Sequence, residues 1–227
     1  MSNSGVSPEL IREYRERQSE LARQVIEIPL AKEPRIVAAI DMHVADKLAL
    51  GSAVELTYPE LTPVDENVAA QLVTFPYIPG LLSFREAPVC LAAVEGLETK
   101  PDLVLVDGQG RAHPRRFGIA CHIGHELGIP TIGVAKSILV GHYGDLGEER
   151  GSTAPLIDRG EVVGMAVRTR PGTKPVYVSV GDLITLEDAV DWVLRTTGRY
   201  RLPEPSRLAH KLAQARAAEL RSGEGKS

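Results

Sequence analysis

Two carboxylates stand where the surrounding sequence has no use for a charge. Asp41 interrupts the apolar run 35–44 directly after Ile40, and Asp107 ends the apolar stretch 103–106 just before Gly108. An ionised carboxylate taken out of water costs on the order of several kcal/mol unless an Arg or Lys, backbone amides or a cation compensates it. Both segments read as strands, and open α/β sheets gather ligands at the carboxyl ends of their strands. Neighbouring strands lie about 4.8 Å apart, so the two acids could reach one divalent ion if their strands pair. The competing reading pairs Asp41 with an internal Arg and leaves Asp107 to start an Asp-Gly turn. Two acids at such positions make a shared metal site the better account.

Glu86 is the third candidate. Ser83-Phe84-Arg85-Glu86 has the spacing of a capping box. Pro88 speaks against it, because a helix begun at Ser83 would lose a hydrogen bond there. The sequence therefore predicts a helix from about Pro88 to Leu97 with Glu86 at its mouth. Asp41, Asp107 and Glu86 suffice to hold Mg²⁺, which prefers oxygen ligands and keeps several waters, with Mn²⁺ as a substitute. Lys136 closes the strand 131–135, where it could neutralise a phosphate or orient a water; alone it would read as a surface lysine. His122 and His125, beside Cys121 and downstream of His113, fit no closed tetrahedral zinc pattern. Gly108-Gln109-Gly110 is no dinucleotide fingerprint, because its third glycine position is His113.

Pro76-Tyr77-Ile78-Pro79 holds an aromatic and an aliphatic side chain between two prolines. A stiff loop presents such side chains at little entropic cost. Apolar wedges unstack a base step, and enzymes acting on one abnormal base extrude it. Gly80, Leu81 and Leu82 could then offer backbone groups to the flipped base. Taken alone, the motif is also compatible with a buried corner.

The elements that must position these groups follow from periodicity and turn residues. Ser7-Pro8-Glu9 opens a surface helix over about 8–25. Strands are expected over 35–44, 53–59 and 68–75, separated by Gly51-Ser52, Pro59 and Thr62-Pro63, which makes an antiparallel meander. Residues 103–106 and 131–135 read as buried central strands and 115–127 as a helix. Strands at 162–169 and 176–180 lie toward the far edge, the first in a hairpin turning at Asp158-Arg159-Gly160. A capped helix spans 185–196, and Ser206 caps a last helix to about Leu220, followed by a disordered tail over about 221–227. Three antiparallel strands feeding a parallel βαβ arrangement predict an α/β fold of the ribonuclease H-like type, a mixed sheet flanked by helices.

The 227 residues are 43% hydrophobic and 25% charged, an ordinary globular balance that favours one domain. No apolar run spans a membrane, the N-terminus has no basic and apolar leader pattern, and two cysteines make no disulfide framework, so a reducing cytoplasm is expected. The net charge of −4 excludes coating nucleic acid by bulk charge. Residues 199–227 nevertheless carry seven Lys or Arg against three Glu, a local +4, which leaves −8 on residues 1–198. Arg111, Arg115 and Arg116 form a second basic cluster, and Arg168, Arg170 and Lys174 a third. An acidic body with basic patches suits contact with phosphate at one face.

Four stretches together resemble the endonuclease V family: PYIPGLLSFRE at 76–86, PDLVLVDGQGRAHPRRFGIACH at 101–122, IPTIGVAKS at 129–137 and YRLPEPSRLAH at 200–210. The likeness spans roughly residues 35–210. It implies a ribonuclease H-like fold and Mg²⁺-dependent cleavage of DNA containing deoxyinosine, at the second phosphodiester bond 3′ to the lesion. The nearest rival reading cuts inosine in RNA, and a more distant one binds damaged bases without cutting. The resemblance makes Asp41, Asp107 and Glu86 metal ligands, Lys136 the active-site lysine and His210 a polar residue near the metal. Tyr77 becomes the wedge, and Pro76, Ile78, Pro79, Gly80, Leu82 and Gly108 its loop and base pocket. Arg115 and Arg116, with the C-terminal arginines, would hold the backbone. No membrane and no obligate protein partner is implied. Met42-His43-Val44 departs from the family pattern, which has a small residue and then an aromatic after the first aspartate.

Overall fold

The computed structural model describes residues 7–45 and 48–224. Its elements run α1 (Pro8–Ala22), β1 (Ile36–Ala45), β2 (Leu48–Thr57), β3 (Pro63–Leu72), α2 (Leu82–Glu95), β4 (Leu103–Asp107), α3 (Ile119–Leu127), β5 (Thr131–Ala135), β6 (Thr153–Asp158), β7 (Glu161–Val167), β8 (Val176–Asp182), α4 (Leu186–Arg195) and α5 (Glu204–Glu224). The strands form one mixed sheet in the order β3-β2-β1-β4-β5-β8-β7-β6. β1 to β3 are the antiparallel meander, and β1, β4 and β5 run parallel. This is the ribonuclease H-like order that the sequence predicts.

Period-two alternation divides the core. Val37, Ala39, Leu103 and Leu105 face one way, onto a layer that includes Trp192 of α4 and Ala209 of α5. Ala38, Ile40, Val104 and Val106 face the other way, onto Val89 and Ala93 of α2 and Ile123 of α3. All eight strand residues are essentially inaccessible to solvent. Asp41 is in phase with Val37 and Ala39, and Asp107 with Leu103 and Leu105. Both acids therefore belong to the face that α5 covers.

Several boundaries differ from expectation. Gly51-Ser52, predicted as a turn, lies inside β2, which starts at Leu48. A Cβ on Gly51 would stand 2.4 Å from the Val89 carbonyl oxygen, so the glycine serves a close approach of α2 rather than a bend. α2 begins at Leu82, not Pro88, and Pro88 sits within it. An internal proline costs roughly 3 kcal/mol. Burial of Ser83, Ala87, Val89, Cys90, Ala93 and Val94 on one helix offsets it. Glu86 thus projects from the helix body rather than from its mouth.

β3 covers 63–72 rather than 68–75. α3 starts at Ile119 and not at 115, because residues 111–117 are consumed in turns, with Arg116 left-handed at φ 58°. The hairpin at Asp158-Arg159-Gly160 forms, with β6 as its first arm. α1 ends at Ala22 rather than 25, and α5 continues through Glu224, past the predicted end near Leu220. Only residues 225–227 of the predicted tail lie outside the described residues. Met42-His43-Val44 leaves β1 unbroken, each residue in register with β2.

Candidate metal centre and base pocket

The parallel register of β1 and β4 pairs Ile40 with Val106, which brings the next residues, Asp41 and Asp107, side by side at the carboxyl edge. α5 crosses the same face. Its buried stripe Ala209, Ala213 and Ala217 has no bulk beyond Cβ, so the helix lies close to the sheet. That approach brings His210 onto the acids, with Nδ1 2.6 Å from Asp41 Oδ2. One ligand atom from each of Asp41, Asp107 and His210 lies within 4.8 Å of the others, and among the described residues no other such cluster occurs. The Ser52 hydroxyl, beside Asp41 in the ladder, donates to the Ala209 carbonyl at 2.8 Å and fixes α5 at this height. Sequence reading missed Ser52; a hydroxyl in a buried strand was the available signal.

Lys136 donates to Asp107 Oδ2. Its own carbonyl accepts from the Arg201 guanidinium at 3.0 Å, so a residue beyond α4 holds the end of β5. Burial, and then the facing charge of Asp41, pushes the Asp107 carboxyl up against the pull of Lys136. Glu86 lies outside the close triad but feels it. Burial foremost pushes its carboxyl up to about 7, with the charges of Asp41 and Asp107 adding to the effect and Arg85 opposing it. Three acids that repel one another beside one lysine fit a dication. Two carboxylates and one imidazole leave room for water in its shell, a donor set that suits Mg²⁺ and, through the nitrogen, Mn²⁺.

The raised Glu86 value has a thermodynamic sign. The folded group holds its proton up to about pH 7 while the unfolded one releases it near 4.5. The folded state therefore binds more protons between those values, and the Glu86 contribution to stability falls as pH rises through them. At 1.36 kcal/mol per unit the loss is on the order of 3 kcal/mol. Glu86→Gln is expected to gain stability over wild type as metal-free protein is taken from pH 5 to pH 8. Added Mg²⁺ at pH 8 should narrow the gap. Urea unfolding at both pH values checks this, and parallel pH dependence in the two proteins would refute the buried carboxyl.

Beside the acids lies a cavity of about 280 Å³. Of the predicted pocket residues, Tyr77, Pro79, Gly80, Leu82 and Gly108 line it, together with Glu86 and Asp107. Tyr77 stands 65% exposed at the mouth. Ile78 is instead buried, its carbonyl accepting from the Leu81 amide at 2.9 Å. Pro76 is not part of the lining. Ser83, Gln109, His113, Gly118, Ile119 and residues 137–139 complete the wall and were missed in the sequence. His113 is pushed down to about 4, chiefly by burial, and its Nδ1 accepts from the Arg115 amide at 3.2 Å.

Arg115 and Arg116 do not present open guanidinium groups. Arg115 donates to Gln18 and to the Gly80 carbonyl, and Arg116 to Asp158, Glu161 and the carbonyls of His113 and Asp158. His122, which with His125 fits no zinc pattern in the sequence, packs its ring against Phe84 and Phe117, with centroids 5.1 and 5.6 Å away.

A ribonuclease H-like sheet with acids at its carboxyl edge and a base-sized cavity beside them is the framework of a nuclease. Residues 19–211 match the model of the endonuclease V family, and the chain belongs to that family. It is 52% identical over 202 residues to Endonuclease V of Trichormus variabilis, which covers 88% of this chain and 91% of that one. The crystal structure of Endonuclease V from Streptomyces avermitilis superposes with a TM-score of 0.88 at 43% identity, over 92% of this chain and 93% of the other. Endonuclease V from Ciona intestinalis, solved with a 24mer DNA containing an inosine followed by a ribo-adenosine, gives a TM-score of 0.79 at 30% identity over 93% and 99% of the two chains. Among the described residues no helix is long and apolar enough to cross a membrane.

Proposed function

We propose that this protein is a divalent-metal-dependent endonuclease that recognises deaminated purine, inosine, in DNA and cuts the second phosphodiester bond 3′ to it, in DNA repair. The observation that carries the reading is the triad of Asp41, Asp107 and His210 within 4.8 Å, at the edge of a cavity with room for one flat base. The inosine-containing DNA held by the Ciona intestinalis relative supports the choice of lesion. Asp41, Asp107 and His210 would hold Mg²⁺ or Mn²⁺. When bound, the ion supplies Lewis acidity at the phosphate and a more acidic water. Burial and the two aspartates push the Glu86 carboxyl up in the metal-free protein; a bound dication would pull it back down, leaving a carboxylate that can accept a proton at this edge. Lys136 steadies Asp107 and adds the positive charge that a phosphate needs beside an acidic cluster.

Tyr77, rigid between Pro76 and Pro79, fills the gap left when the base leaves the stack. The turn Ile78–Leu81 brings the uncapped N-terminus of α2 to the cavity, where backbone donors can meet a purine carbonyl. Buried free Cys90 and Cys121 accord with a reducing compartment, the cytoplasm.

The rival reading, inosine in RNA, has one observation in its favour: the DNA in complex with the Ciona intestinalis relative carries a ribonucleotide after the inosine. The 2′-hydroxyl decides between them. The test incubates the protein with Mg²⁺ and matched DNA and RNA strands, with and without one inosine, and maps the cut. The proposal expects a cut directly 3′ of the nucleotide that follows inosine in DNA, and none in the unmodified strand. Preferential cutting of RNA would establish the rival. Binding of inosine without cutting would make the protein a recognition module.

A further inference from the structure

α1 contributes one fully buried polar side chain, Gln18. A surface helix needs only apolar residues on its inner face, and a buried amide is tolerable there only when its groups are paired. Both ends of Gln18 reach the same distant segment. Its Nε2 donates to the Phe117 carbonyl at 2.6 Å, and its Oε1 accepts from Arg115 Nε at 2.5 Å. The other end of that guanidinium donates from its second terminal nitrogen to the Gly80 carbonyl at 2.5 Å. Gly80 is left-handed at φ 78°, and a Cβ there would stand 2.7 Å from the same Arg115 nitrogen. Arg115 therefore occupies the space that the missing side chain leaves. Gly80 ends the loop that carries Tyr77 and lines the cavity.

We infer that Gln18 is a positioning residue for the base-reading loop: by orienting Arg115 it fixes the Gly80 carbonyl, and with it the pose of residues 76–80 over the pocket. Arg115 is the middle member of this chain of contacts rather than a clamp on the nucleic-acid backbone. Guanidinium orientation is set at two points, Gln18 on one side and Gly80 on the other, so removing the first acceptor frees the second contact. α1, most of which precedes residues 19–211 matched by the family model, thereby becomes part of substrate recognition. The consequence for inosine rests on the proposed function; the mechanical coupling of Gln18 to Gly80 does not.

The test uses two variants of the full chain. Gln18→Leu keeps the volume and removes the acceptor. Gln18→Glu keeps an acceptor for Arg115, adds a charge that pairs with the guanidinium, and replaces the donor to Phe117 with an oxygen facing that carbonyl. In the free protein, amide hydrogen exchange at Leu81, whose N–H closes the turn onto Ile78, is expected to accelerate at least tenfold in Gln18→Leu. It should stay within about threefold in Gln18→Glu, with the amides of β4 and α3 unchanged in both. With inosine-containing duplex and Mg²⁺, Gln18→Leu should raise KM about tenfold and leave kcat within about twofold. Unchanged Leu81 exchange, acceleration spread through β4 and α3, equal acceleration in both variants, or equal losses in kcat and KM would each overturn the inference. If wild type shows no preference for inosine, the functional proposal fails while the exchange result still decides the coupling.

Discussion

Asp107→Ala is expected to lower cleavage of inosine-containing DNA by at least ~10³-fold at saturating Mg²⁺, and Asp41→Ala by as much, since losing one pre-set electrostatic element of a reaction centre commonly costs ~10²–10³-fold and these two also hold the ion. Neither loss should weaken binding measured without metal. Both carboxylates stand beside the site for a phosphate, so removing one relieves repulsion, and affinity for the lesion should hold or rise. Asp107→Ala also frees Lys136, its ion-pair partner, to meet a phosphate. Single-turnover cleavage and filter binding on the same duplex separate the effects. A rate within tenfold of wild type would remove the aspartate from the reaction centre. A parallel collapse of binding would indicate misfolding, which thermal unfolding of the metal-free variants would reveal.

Tyr77→Ala is expected to reduce discrimination between inosine-containing and unmodified duplex by roughly ten- to a hundredfold, since unstacking a base step costs a few kcal/mol that the wedge helps to offset. The ring is 65% exposed in the free protein. Surface substitutions of this kind change stability by within about 0.5 kcal/mol, so the thermal midpoint should barely move. Single-stranded inosine DNA has no opposing stack to open and should lose much less. The ratio of kcat/KM on duplex and single strand, for wild type and variant, measures this. Equal losses on both substrates would make Tyr77 an ordinary contact.

The aspartates were legible because a charge inside an apolar strand is a local contradiction that any short window shows. Their meeting was legible because the meander and the two buried runs leave few ways to order the strands. His210 was visible only through family likeness; on its own, a histidine in an amphipathic helix gives no hint of which strand it will cross. Its placement depends on the small residues at 209, 213 and 217 and on Ser52, far away in sequence. The start of α2 was misread for a related reason. Proline reports the local cost, whereas the burial that offsets it comes from β1, β2, β3 and α3. Arg115 and Arg116 show the same limit: a run of arginines looks like an open basic patch until Gln18, Gly80, Asp158 and Glu161 arrive from elsewhere to occupy them.

The dependence of the triad on α5 has a consequence during synthesis. A growing chain makes both aspartates early, but the imidazole at position 210 is added only after everything from β1 to α4 has been translated. Until that helix has left the ribosome and docked, the half-built protein lacks one of the three groups of the proposed metal centre. Docking of the closing helix therefore completes the three-residue cluster last, after the sheet that carries the two aspartates has been made.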